Sequence, residues 1–277
     1  KAKPSKEMAS ILQHFIFPPP NMVVATISVA NVLAMANAGY GEMRGTKHMQ
    51  YSKFADAIGA GNGAGQTKLV ASKRGMVLAY APAAMAALAS LAFFPDEGLR
   101  FFLVRAALSL HFFKRTFEVL FIHKYSGSMS LGDATLIGIS YLVSTSTIIY
   151  TQHLSMALPE PQFDLTNPGI LLFLVGLAGN FYHHYLLSKL RSSTNNTKEK
   201  AYKVPNGGLF GLVICPHYLF EILVFWGIAF ISQTTYGFSV AIGTSFYLMG
   251  RSCATRRWYM NKFEDFPKDV KAIIPFV

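Results

Sequence analysis

The chain has 277 residues, of which 52% are hydrophobic and 14% charged, and it carries a net charge of +11 with a mean hydropathy of +0.32. Soluble domains carry about 25% charged residues, so the composition excludes an ordinary soluble domain and favours residence in a membrane. Lys and Arg lie between long apolar runs rather than across a polar surface, which excludes a nucleic-acid-binding face and suits loops beside an anionic leaflet.

A bilayer span needs about 20 apolar residues. Lys1, Lys3 and Lys6 precede an apolar run with no small-residue cleavage motif, and this start reads as a first anchor rather than a removed leader. The first span is expected at Pro18–Tyr40, entered through Phe17-Pro18-Pro19-Pro20. A polar loop, Gly41–Arg74, follows with Arg44, Lys47, Lys53, Lys68, Lys73 and Arg74. Further spans are expected at Gly75–Phe94, Leu99–His123, Leu131–Leu154, Pro168–Leu190, Leu209–Ile231 and Tyr236–Cys253, followed by a basic, aromatic tail from Ala254 to Val277.

Basic residues alternate between the connections. They fill the first loop, the end of the third span (Lys114, Arg115, Lys124), the loop after the fifth (Lys189, Arg191, Lys198, Lys200, Lys203) and the tail from Arg251. The loops after the fourth and sixth spans hold none, and the connection after the second has only Arg100 beside Asp96 and Glu97. By the positive-inside rule the C-terminus is cytosolic and the N-terminus luminal, with the basic start as a dissenting feature. The fold expected is an all-α membrane protein, a seven-transmembrane-helix bundle forming one membrane domain over residues 1–277. The sequon Asn195-Asn196-Thr197 then lies on the cytosolic side and is expected to stay unglycosylated.

Polar groups at membrane depth are expensive and mark function by default. Asn180, His183, His184, Arg191, Tyr202, His217 and Glu221 gather on both sides of the basic loop after the fifth span, a cationic mouth suited to a phosphate-bearing ligand. His217 and Glu221 share a helix face at i, i+4. His111, Arg115 and Glu118 share another, at i, i+4 and i+7, a polar stripe expected to line a cavity in a membrane helix, with a purely structural Arg115–Glu118 pair as the alternative. Arg251, Thr255 and Tyr259 form a third face, while Arg256, Arg257 and Trp258 read as an interfacial belt. Gly59–Gly65 has glycine spacing like that of a dinucleotide fingerprint, but no strand precedes it, so it reads as a loop. The eight histidines form one adjacent pair only, which argues against a metal site. Cys215 and Cys253 lie in apolar helical context and indicate free thiols, not a disulfide framework.

AYKVPNGGLF, CPHYLFEI and RRWYMNKFEDFPKDVKAIIPFV, together with LHFFKRTFEVLFIHKYS in the third span, resemble the steroid 5α-reductase family, particularly its plant members. The family is related to polyprenol reductases and very-long-chain enoyl-CoA reductases, and the resemblance is strongest over 76–277. It implies a seven-helix fold in the endoplasmic reticulum membrane, bound NADPH, and hydride transfer to the β-carbon of a conjugated C=C–C=O. Carried over by position, it implies cofactor contacts at Asn180, Leu187, Arg191, Tyr202, Glu221, Arg251 and Tyr259. Lys203 stands at a frequent Arg, His184 at an Asp and His217 at an Asn, and all three belong to the expected cofactor set.

At the substrate end Tyr80 stands where steroid reductases carry a Glu and Phe112 where they carry a Tyr. Tyr80, His111 and Arg115 are therefore the candidate catalytic groups, with Phe112 in the substrate pocket. The partners expected are a lipophilic small molecule and membrane lipids, with no nucleic acid and no metal, in a monomer. Two other readings stay open: a non-redox isomerase or cyclase of a lipophilic metabolite, and a non-catalytic membrane relic.

Overall fold

A computed structural model describes residues 14–59, 68–94, 98–192 and 202–275. The sequon, the glycine-rich run from residue 60 onward, Lys1, Lys3, Lys6, Lys198 and Lys200 fall outside the described residues. Among the described residues, seven α-helices follow the apolar runs: α1 Met22–Arg44, α2 Ser72–Phe93, α3 Leu99–Phe117, α4 Leu131–Ser155, α5 Thr166–Ser192, α6 Pro216–Ser232 and α7 Thr235–Lys262.

The chain is a predominantly helical membrane protein. Helices α1, α2, α4 and α5 are long and apolar enough by themselves to cross a bilayer, and α6 is apolar but shorter. Helices α3 and α7 carry more charge, and part of that charge turns inward. Arg105, His111, Lys114 and Arg115 of α3 are buried, as is Arg251 of α7.

Helix ends follow local chemistry. Asn21 caps α1 by accepting from Val24 N at 2.9 Å, so the helix starts after the three prolines rather than at Pro18. Gly45, at φ 76°, closes it. Helix α7 runs on through Lys262 instead of ending near Cys253, because the face of Arg251, Thr255 and Tyr259 stays buried along its length. Helix α3 passes into a π turn at Glu118–Ile122, a feature frequent at functional sites.

The loop expected to be merely polar is structured. A 3-10 segment spans Ser52–Gly59, and strand β1 (Leu69–Ala71) pairs antiparallel with β2 (Ser128–Ser130), Leu69 opposite Ser130. No alternating pattern marks strands this short, so the sequence gives no sign of them.

Tightest packing joins α5 to α6 and α1 to α7. A Cβ on Gly250 would collide with the backbone of Gly39, so these helices meet at the closeness that small residues permit. The apolar core threads between helices through Ala79, Ala83 and Ala87, Leu108 and Phe112, Ile148, Phe173, Val224 and Ile228. At one end of the bundle Arg100 Nη1 donates to Ile231 O and to Gln233 Oε1, both at 2.8 Å. This knot holds the α6–α7 turn and lies apart from the polar groups of the site.

Candidate functional site

Two polar assemblies stand inside the bundle. The first lies among α2, α3, α5 and α6, with Arg115 as its hub. Arg115 Nη1 donates to Glu118 Oε2 at 2.8 Å and lies 3.0 Å from His184 Nδ1, while Nη2 donates to the Tyr80 hydroxyl at 2.5 Å. Its guanidinium also covers the Tyr80 ring, 4.5 Å from the centroid. Glu118 is completely buried, and Lys114 Nζ stands 3.0 Å from its Oε1.

Asn180 joins this group to α6. Its Nδ2 donates to His217 O and to Glu221 Oε2, each at 2.8 Å, and its Oδ1 accepts from Lys114 Nζ. The amide thereby uses both hydrogens and its oxygen, a satisfied buried polar group. Glu221 Oε1 is 3.5 Å from His111 Nε2 and 3.9 Å from Arg115 Nε. The two carboxylates, Glu118 and Glu221, balance the two cations, Lys114 and Arg115, which is how charge survives at membrane depth.

Several buried atoms of this assembly lack a hydrogen-bond partner among the described residues: His111 Nδ1 and Nε2, Arg115 Nε, Glu118 Oε1 and His217 Nδ1. Buried polar atoms are normally satisfied, so orphans gathered around one cluster mark where a polar ligand belongs. The Tyr80 hydroxyl is poised similarly. It accepts from Arg115, which leaves its own hydrogen to donate elsewhere. Phe112, 1% exposed, sets its ring edge-on to Tyr141 at 5.2 Å, and Tyr80 stacks on Tyr141 at 5.5 Å. Together they make an aromatic wall beside the donor.

Glu118, His123 and His184 also bring three ligand-type atoms within 4.8 Å of one another. Arg115 already stands on Glu118 Oε2 and His184 Nδ1, so the guanidinium supplies the positive charge that a metal ion would otherwise bring.

The second assembly joins the end of α1, the 3-10 segment and α7. Arg251 Nη1 donates to Glu42 Oε1 at 2.7 Å, Nη2 to Tyr51 O at 3.2 Å, and the guanidinium packs on the rings of Tyr51 and Phe54. Glu42 also holds His48 Nδ1 at 2.6 Å and Met49 N at 3.0 Å, which ties the loop to the bundle. Lys53 places its ammonium 4.3 Å from the Tyr259 ring centroid and 5.3 Å from that of Trp258. Burial of that ammonium lowers its pKa to about 8, and the like charges of Arg251 and Arg191 add to the shift.

The expected site residues therefore divide. Tyr80, His111, Phe112, Arg115, Asn180, His184, His217 and Glu221 meet in the first assembly. Arg251 and Tyr259 belong to the second, where Tyr202 reaches Trp258 at 4.8 Å. Leu187 is half-buried on α5, Arg191 Nη1 donates to Lys124 O at 2.6 Å, and Lys203 lines a surface cavity of about 440 Å³ with Lys189. Sequence reasoning missed Glu42, Tyr51 and Lys53, and gave Lys114 no part in the site. Glu42 alone had a readable signal, a carboxylate at the end of an apolar helix that requires a partner.

The family model described as 3-oxo-5-alpha-steroid 4-dehydrogenase matches residues 136–277. A steroid 5-alpha-reductase of Gossypium hirsutum is 42% identical over 110 residues, 39% of this chain and 41% of that protein. The 3-oxo-5-alpha-steroid 4-dehydrogenase 1 of Homo sapiens is 37% identical over 118 residues, 43% of each. A very-long-chain enoyl-CoA reductase of Dictyostelium discoideum is 29% identical over 171 residues, 61% of this chain and 55% of that protein. The chain thus spans less than two thirds of the length of the curated relatives it matches.

Proposed function

The chain belongs to the 3-oxo-5-alpha-steroid 4-dehydrogenase family, and from that premise we propose that it is an NADPH-dependent reductase of a conjugated C=C beside a carbonyl in a lipophilic substrate. The orphaned nitrogens of His111, Arg115 and His217 carry this reading, because they fit a polar ligand bound where the cofactor half meets the catalytic candidates.

The dinucleotide's phosphates suit the cations Lys53, Arg251 and Arg191, with Lys203 at the rim. Asn180, His184, Leu187, Tyr202, His217, Glu221 and Tyr259 would orient the remainder. Bound there, the reduced nicotinamide supplies the hydride equivalent for the β-carbon of the enone. The protein's own part is to bear the negative charge that develops on the carbonyl oxygen. Tyr80 does so with its free hydrogen, and Arg115 polarises that hydroxyl through Nη2. Glu118 and His184 keep Arg115 in place. Phe112 adds no donor; it seals the pocket with Tyr141 and keeps water from the reacting carbon.

Seven spans, a luminal N-terminus and a cytosolic C-terminus in the endoplasmic reticulum are the arrangement that suits this chemistry. It places Lys53, Arg191 and Arg251 toward the compartment holding soluble NADPH. Purified protein tests the reading. It should bind NADPH, seen as a shift of nicotinamide fluorescence, and oxidise it with at least one of a panel of steroid, prenyl and enoyl-type enones. Turnover of a lipophilic substrate without any dinucleotide overturns the proposal in favour of an isomerase or cyclase.

A further inference from the structure

Outside the two assemblies, the C-terminal end of α7 holds a separate cationic cavity of about 530 Å³, lined by Cys253, Arg256, Arg257, Met260, Asn261, Lys271 and Ala272. No carboxylate lines it. Arg251, Arg115 and Arg100 each face an acid, but Arg256, Arg257 and Lys271 form no ion pair among the described residues. Backbone carbonyls hold the two arginines instead. Arg256 donates from Nε to Val270 O and from Nη2 to Lys268 O, both at 2.7 Å, and Arg257 Nη2 donates to Met43 O at 2.7 Å. Lys271 is fixed through its backbone, with Ile214 N donating to its carbonyl and its own N–H donating to Leu212 O, each at 2.9 Å. Carbonyls orient a guanidinium without neutralising it, so the cavity keeps two oriented, charged arginines with the Lys271 side chain beside them.

The approach to this cavity is apolar. Phe246, Met249, Cys253, Arg256 and Met260 recur at three- and four-residue steps and share one face of α7. Phe246 and Met249 are 49% and 38% exposed and Met260 39%, while Gly250, Arg251, Ala254 and Thr255 on the opposite face are buried. An exposed apolar stripe that ends in unpaired cations matches a lipid molecule, with tail along the stripe and phosphate in the cavity. A free phosphate would have no use for the stripe.

We propose that this cavity binds the phosphate of one anionic phospholipid, whose acyl chain lies along Phe246 and Met249. The proposal is independent of the reductase reading, since none of these residues belongs to the two assemblies.

The test reconstitutes the full chain in nanodiscs of phosphatidylcholine with a minor share of phosphatidate, then counts retained lipids by native mass spectrometry after detergent extraction. Wild type should retain one phosphatidate in preference to phosphatidylcholine. The double variant Arg257→Gln/Lys271→Gln should retain it roughly 30-fold less well, as expected for two charges removed near an anionic surface. Arg256 is left intact because it anchors the tail, and an unchanged helical circular-dichroism spectrum and thermal midpoint of the double variant show that it is folded. The single variant Lys271→Gln should fall between. Equal retention of the two lipids, or no loss in the double variant, overturns the proposal. So does full displacement of phosphatidate by inorganic phosphate, which would make the cavity a site for a free anion.

Discussion

The family model takes in α5, α6 and α7 and does not take in α2 and α3. Asn180, Glu221, Arg251 and Tyr259 lie within residues 136–277, matched by the family model; Tyr80, His111, Phe112 and Arg115 lie outside it. The two polar assemblies also differ physically. Around Lys53, itself outside the matched residues, two cations, Lys53 and Arg251, stand with one carboxylate, Glu42. Around Arg115 acids and bases balance, and the uncommitted atoms are few: the Tyr80 phenol hydrogen, both nitrogens of His111, Arg115 Nε, Glu118 Oε1 and His217 Nδ1.

The largest effect expected in either assembly is at Tyr80. Tyr80→Phe removes the proposed donor and should lower kcat by roughly 100- to 1000-fold, the scale of losing one oxyanion donor. The NADPH dissociation constant should stay within about threefold. A variant of near wild-type activity would move the donor to His111 and break the assignment of this assembly.

Lys53 sharpens the other assembly. Arg251 is a poor probe, because removing one partner of its buried pair with Glu42 costs about 3–5 kcal/mol of stability and confounds binding with folding. Lys53→Gln should instead weaken NADPH about tenfold, as for a hydrogen bond to a charged group, with kcat little changed. The pH dependence follows from the pKa of about 8. A lysine is charged below its pKa, so NADPH affinity should be greatest below pH 8 and decline above it in wild type. It should be flat through that range in Lys53→Gln. An identical pH profile in both proteins removes Lys53 from the phosphate site.

The smallest effect expected is at Phe112. Restoring a hydroxyl with Phe112→Tyr leaves the ring in its pocket and should change turnover of the native substrate only a few-fold. Activity on steroid enones should rise, measured as the ratio of kcat/KM values. If that ratio does not move, this position does not divide the chain from its steroid-reducing relatives.

Most of the helices were legible because they are apolar runs bounded by basic or proline-rich connections, while only Gln233 and Thr234 part α6 from α7. His217 with Glu221, and His111 with Arg115 and Glu118, were legible because helical spacing alone puts them on shared faces. What stayed hidden depends on contacts far apart in the chain. Lys53 looks like any loop cation until α7 brings Trp258 and Tyr259 against it. Glu42 and Arg251 find each other across 209 positions. Neither helical period nor composition reports such a meeting. The β1–β2 ribbon escaped for the same reason, since each strand is three residues long and is defined only by its partner.

The central claim is a hydride delivered from NADPH to an enone whose oxygen is held by Tyr80 and Arg115. The most direct measurement gives the purified protein NADPH deuterated at the transferable C4 position, supplies the turned-over enone, and locates the label in the product by mass spectrometry and NMR. The account predicts one deuterium at the β-carbon and none elsewhere. Product formed without deuterium, at a rate indifferent to the dinucleotide, would contradict it.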